Sequence, residues 1–155
     1  MIGALYVASA ASDANTGTQT EMLLTNTAAM ISLVERAAIS QGTQTTSEQE
    51  VAKISKWSIV GTGGDAVTEV ALNDQAAAAS GTVTIEGTIA VTTGTGTNSI
   101  FYQQGFNVLS GWLWTPANDD EVIIIGLSGV AELGLTTGTA SLVWYCSLTW
   151  REYGT

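Results

Sequence analysis

Near its C-terminal end the chain alternates in character: Leu142, Trp144, Cys146, Leu148 and Trp150 fall on one parity, and Ser141, Tyr145, Ser147, Thr149 and Arg151 on the other. A period of two is the mark of a β-strand with one face against a core and the other toward water. The same alternation runs from Thr82 to Thr92, where Val83, Ile85, Ile89 and Val91 are set among Thr82, Thr84, Glu86, Thr88 and Thr92. Between these segments stand Ile100 to Gln104, Val108 to Trp114, Glu121 to Leu127 and Val130 to Thr136, each short and closed by Gly, Asn, Asp or Pro.

Turn chemistry agrees with this division. Gly61 to Gly64, Gly94 to Asn98, Pro116 to Asp120, Ser128-Gly129 and Thr137-Gly138 supply the residues that strand connections need. Ala28 to Ile39 is ambiguous: Met30, Leu33, Val34, Ala37 and Ala38 fit a helical stripe, whereas Ile31, Leu33, Ala37 and Ile39 fit a strand interrupted by Glu35. Its strand-like surroundings and the lack of a capping pair favour a strand. Asp74 to Ala79, with Asn73 as cap, is expected to form one helical turn.

About eight to ten short strands in one domain leave a sandwich or barrel, and we expect an all-β jelly-roll β-sandwich. The expected organisation is an extended N-terminal arm over residues 1–20 and a single domain over 21–155. Edge strands normally carry Lys or Pro against further pairing, and this chain has two Lys, Lys53 and Lys56, and one Pro. Its edges are therefore expected to be covered by identical copies.

Composition narrows the function. The 155 residues fit one domain. Only 12% are charged, half of the about 25% usual in soluble domains. Four Lys or Arg against fourteen Asp or Glu give a formal charge of -10, which argues against nucleic acid and against an anionic membrane surface. Ala8-Ser9-Ala10 mimics a signal-peptidase site, but no Lys or Arg precedes it and the apolar run from Ile2 to Val7 is too short, so no export signal is expected. The charge-free stretches Gly87 to Asn118 and Leu133 to Trp150 are broken by Thr, Ser and Gly, so no transmembrane helix is expected either.

Histidine is absent, which removes the usual Ser-His-Asp and Cys-His nucleophile systems and His-based metal sites. Cys146, between Trp144 and Leu148 on the apolar face, reads as a buried structural thiol. The glycines at 61–64 and 94–96 lack the Lys-Ser/Thr of a phosphate loop. No catalytic residue and no cofactor are expected. Asp119, Asp120 and Glu121, preceded by Asn118, are weak candidates for Ca²⁺ or Mg²⁺ ligands, with a solvated acidic loop as the plainer alternative. Trp112 and Trp114 share one strand face and are read either as sandwich core or as an interface or carbohydrate platform; Trp57 carries the same alternatives, with core favoured. Leu5, Tyr6 and Val7 are interface candidates, because an arm that contains them could add a strand to a neighbour.

From Trp57 onward the pattern includes Trp112-Leu-Trp114-Thr-Pro116, an acidic turn, Val122 to Leu127, Ser128-Gly129, Leu133-Gly-Leu135 and a last strand ending Trp150-Arg-Glu152. This resembles the jelly-roll capsid decoration (cement) proteins of tailed bacteriophages, over about the last hundred residues. The resemblance implies a non-enzymatic homotrimer, made in the host cytoplasm, that sits on the outside of the head and stabilises the major capsid protein lattice. Gln41 to Gln49 and the N-terminal arm have no counterpart in it. Alternatives are a carbohydrate-binding virion fibre or receptor-binding module using Trp112 or Trp114 with Asn118 and Asp119, a tail or portal adaptor, and, last, a glycosidase built on Asp120.

Overall fold

The computed structural model of the chain describes residues 3–14, 19–42, 47–72, 77–136 and 141–154. In chain order the strands are β1 (Ala4–Ala11), β2 (Gln19–Thr25), β3 (Met30–Gln41), β4 (Gln49–Ile59), β5 (Thr62–Gly63), β6 (Asp65–Val67) and β7 (Val70–Ala71). They continue with β8 (Thr82–Ile85), β9 (Val91–Thr92), β10 (Thr95–Asn107), β11 (Trp112–Trp114), β12 (Ile123–Ile125), β13 (Val130–Thr136) and β14 (Trp144–Gly154). A 3₁₀ turn, Asp119–Glu121, lies between β11 and β12, and among the described residues no helix is long and apolar enough to cross a membrane. The all-β class expected from the alternation is what the chain adopts. Residues 73–76 of the expected helical turn, the Thr137-Gly138 turn and residues 43–46 of the polar segment lie outside the described residues.

Two antiparallel sheets carry the fold. The first has the order β11-β3-β14-β1-β7, with β12 also on β3; the second runs β10-β4-β13-β2-β8-β6. Eight strands make the frame, and their pairing is nested. β1 pairs with β14, β2 with β13, β3 with β11 (and with β12, its continuation), and β4 with β10. One hydrophobic core takes side chains from both sheets, among them Ala8, Ile39, Leu148 and Trp150 from the first and Met22, Leu24, Ile54 and Leu133 from the second.

The ambiguity over Ala28 to Ile39 has a local cause. The segment is a strand, but Thr149 pairs with Arg36 and Trp150 with Val34, so Glu35 is the extra residue of a bulge. A bulge reverses the parity of the strand. Val34 and Ala37 therefore both face the core, three positions apart, which is the spacing of a helical stripe. A second bulge in β2 has Met22 opposite Leu133 and Thr20 opposite Gly134, with Glu21 as the extra residue.

The described residues of 60–94 form an excursion between β4 and β10: β8 and β6 extend the second sheet beyond β2, β7 joins the first sheet beside β1, and β5 and β9 pair with each other. Ile54 and Leu133 point into the core, so their neighbours Ser55 and Glu132, directly paired, point out, yet both are buried. The Glu132 carboxylate accepts the Gly61 N–H at 3.2 Å, the Gly94 N–H at 3.3 Å and the Thr20 hydroxyl at 3.0 Å. Burial pushes the Lys53 ammonium pKa down, and the charge of Glu132 pulls it back up. On the other side of the sandwich Glu152 accepts the Ser80 and Gly81 N–H groups, each at 2.9 Å, and the Trp150 indole N–H at 3.0 Å. Two buried carboxylates thus fasten the excursion by its backbone, where charge-assisted bonds are stronger than neutral ones.

The N-terminal arm requires a correction. Over Ala4–Ala11 the chain lies inside the first sheet, paired to β14 on one side and to β7 on the other. Tyr6 and Ala8 are buried, and Tyr6 donates its hydroxyl to the Ala77 carbonyl at 2.8 Å. The small residues after Val7 suit this interior position, since alternate ones face a crowded core. The domain boundary placed at residue 20 runs through the sandwich.

Candidate functional site

β10 and the β11/β12 edge end the two sheets on the same flank, joined by Tyr102, whose ring lies 6.3 Å from that of Trp112 and 6.1 Å from that of Trp114. β10 is the outermost strand of its sheet and pairs, among the described residues, with β4 alone. From Thr95 to Asn107 it contains no charged residue and no proline. Ile100 opposes Ser55 and Tyr102 opposes Ile54, which leaves Phe101 as the extra residue of a bulge. Ile100 is 47% exposed, Phe101 43% and Tyr102 37%, and Leu113 and Ile124 on the neighbouring edge are exposed as well.

The interface candidates from the sequence divide. Trp112 and Trp114 are only 5% and 6% exposed and belong to the core, as does Tyr6. Their indole faces are packed inward, so they offer no platform to a ligand. Leu5 and Val7 are half-buried, opposite Arg151 and Thr149 on the outer face of the first sheet. Cys146 is buried, and its desolvation pushes the thiol pKa well up.

Asp119, Asp120 and Glu121 form the exposed 3₁₀ turn. Asn118 Oδ1 caps it by accepting the Asp120 N–H at 2.9 Å. The Glu121 carboxylate folds back to accept the Ala117 N–H at 3.3 Å and the Asn118 side-chain N–H at 3.2 Å, so its oxygens serve the turn itself. Asp119 rims a cleft of about 350 Å³ with Leu33, Glu35, Val122, Arg151 and Tyr153. Arg151 is engaged there: its Nε donates to Glu35 at 2.8 Å and its Nη1 to the Gly3 carbonyl at 3.1 Å. Among the described residues no group of three His, Cys, Asp or Glu is placed to hold a metal ion.

The free edge of β10 escaped the residue-by-residue reading, although its signal was present in the charge-free run Gly87 to Asn118. Trp57, for which core was favoured, is half-buried and lines a second cleft, between β4 and β10. Compared with known protein families, curated proteins and solved structures, the chain matches none.

Proposed function

We propose that the protein is a capsid decoration protein, a non-enzymatic jelly-roll sandwich that sits as a homotrimer on the outside of a bacteriophage head and clamps major capsid protein subunits together. The observation that carries this reading is the β10 flank. A thirteen-residue edge strand without charge or proline, with Ile100 and Phe101 exposed, is the kind of edge that soluble proteins keep from further pairing by Lys, Pro or a covering element. Here Phe101 marks a bulge, which twists the edge but adds no charge. Such a flank is suited to lie against another protein.

The jelly roll is supported by the nested pairing of the frame, first strand with last, second with seventh, third with sixth and fourth with fifth, split over two facing sheets. That is the order obtained by rolling up one long antiparallel hairpin. The resemblance over the last hundred residues adds the phage context. Several contacts per oligomer would give the clamp its strength, because separating two coat subunits then requires breaking them together. The fibre reading loses support at Trp112 and Trp114, whose burial takes away the proposed platform.

The test is mass in solution together with copy number and position on purified virions. A soluble trimer present in hundreds of copies on the head is the expected result. A few copies confined to the tail would instead make the protein an adaptor or fibre component.

A further inference from the structure

Among the described residues, β10 has a neighbouring strand on one side only. Its register with β4 is unbroken from Tyr102 to Asn107, and just beyond it the Val108 N–H bonds the Glu48 carbonyl at 3.1 Å. Antiparallel partners alternate between hydrogen-bonded and non-hydrogen-bonded pairs. Tyr102, Gln104 and Phe106 therefore bond to β4, and the N–H and C=O groups of Gln103 and Gly105 point outward along the free edge.

The side chains beside this edge are incompletely covered. Tyr102 lies opposite Ile54 and Gln104 opposite Ala52, so both stand on the core-facing side of the sheet. Ile54 and Ala52 are 0% exposed, whereas Tyr102 is 37% exposed and Gln104 is exposed too. The Tyr102 hydroxyl donates to Gln104 Oε1 at 3.3 Å, which leaves the N–H groups of that amide for an outside acceptor. Another strand laid along β10 would cover both side chains and use the outward backbone groups.

Charge and length identify the occupant. Two copies of a chain with a formal charge of -10 repel, but from Thr95 to Asn107 β10 carries no charged side chain. The other strands at sheet ends, β6, β7, β11 and β12, have only two or three residues each. The β10 of a second copy is long enough, and it is self-complementary. Laid antiparallel about Gln104, it sets Tyr102 beside the copy's Phe106, Gln103 beside the copy's Gly105, and Gln104 beside the copy's Gln104. Gln103 and Gly105 then form the hydrogen-bonded pairs, aromatic meets aromatic, and each facing amide is both donor and acceptor.

We infer that β10 pairs with the β10 of a second copy, antiparallel across a two-fold axis at Gln104, so that the second sheets of the two copies become one. The inference rests on the reading of this flank as a contact surface, and not on the trimer or the place on the head. In a decoration layer the pairing would join neighbouring oligomers, and for single chains it would make a dimer.

The experiment is sedimentation over a range of concentrations. The unit present at low concentration, one chain or a trimer, is expected to double its mass as the first step of association. Gly105→Pro should weaken that step about tenfold or more, because it removes an outward donor and sets a ring in the way of the incoming strand. The fold itself has room there, since a Cβ would meet only the Glu50 carbonyl oxygen, at 3.8 Å. Gln104→Lys and Gln104→Glu test the axis: alone, each should fail to double, because like charges then face one another, and a mixture of the two should double again. These variants, at an exposed position, decide where Gly105→Pro does not keep the wild-type circular dichroism spectrum. Constant mass in the wild type, undiminished doubling in the deciding variants, or no recovery in the mixture overturns the inference. Particle binding lost in Gly105→Pro, in a protein whose mass never doubles, overturns it as well and gives the edge to a coat strand. Position and copy number on virions test the decoration reading separately.

Discussion

The Tyr6 ring stacks on that of Trp150 with centroids 5.9 Å apart, fastening the first strand of the frame to the last. Truncating Tyr6 to Ala opens a cavity between β1 and β14 and is expected to cost about 3–5 kcal/mol in urea denaturation, whereas Tyr6→Phe, which loses only the bond to the Ala77 carbonyl, costs about 1 kcal/mol. Deleting Met1 to Ala11 removes an interior strand. That deletion should abolish the native near-ultraviolet spectrum, and a folded truncation product would show β1 to be dispensable.

Glu132 tests how the excursion is held. Glu132→Ala leaves the Gly61 and Gly94 N–H groups without their acceptor and takes away the charge that offsets the burial of Lys53, so a loss of about 3–5 kcal/mol is expected. Glu132→Gln keeps an acceptor and should retain part of that stability. Equal thermal midpoints for wild type and Glu132→Ala would show that the carboxylate does not fasten the excursion.

Stability should also depend on Glu50. Burial, together with the charges of Glu48 and Glu21, pushes its carboxyl from the ordinary 4.5 up to about 7. Between those values the native state holds a proton that the unfolded chain has released, so stability falls as pH rises through this window. Below it both states are protonated and the contribution is complete. Glu50→Gln removes the dependence, and its stability relative to wild type should increase between about pH 5 and about pH 8. Parallel pH curves for the two proteins would contradict this.

The β10 edge predicts a change of association without a change of fold. Phe101 is exposed at a bulge, and Phe101→Lys places a charge on an edge that has none. Sedimentation should show weakened self-association or particle binding, with thermal stability within about 0.5 kcal/mol of wild type. Retained occupancy on particles would move the contact elsewhere.

Cys146 offers a reporter for all of these variants. Its thiol is buried, and desolvation keeps it protonated. Native protein should resist an aromatic disulfide reagent and react only as fast as it unfolds. Rapid labelling under native conditions would reveal local opening around β14.

Strand positions were legible where the alternation met no turn, as in β14, but the alternating run Thr82 to Thr92 is two strands, β8 and β9, with a bend at 86–89 that leaves Ile89 57% exposed. Val130 to Thr136 was read from the sequence with the bounds that β13 has. Legibility failed where a bulge shifted parity, as at Glu35, and where small residues masked burial, as in β1, whose Ala and Ser residues looked like a loose arm. The candidate surface was hidden for a related reason. Tryptophan is the usual sign of an exposed platform, but Trp112 and Trp114 complete the core, while the exposed flank is made of Ile100, Phe101, Leu113 and Ile124, which single-residue reasoning assigns to the interior. Buried Glu132 and Glu152 were illegible for the opposite reason: carboxylates are counted as surface unless their backbone donors are known.

The nested pairing of the frame has a bearing on synthesis. Because β1 closes against β14, the strand made first waits for the one made last, and the intervening hairpins cannot finish the core on their own. Loop closure over such separations is slow compared with local pairing. Until β14 has been made, the apolar faces of the other frame strands, β10 among them, stay open to pairing with another unfinished copy.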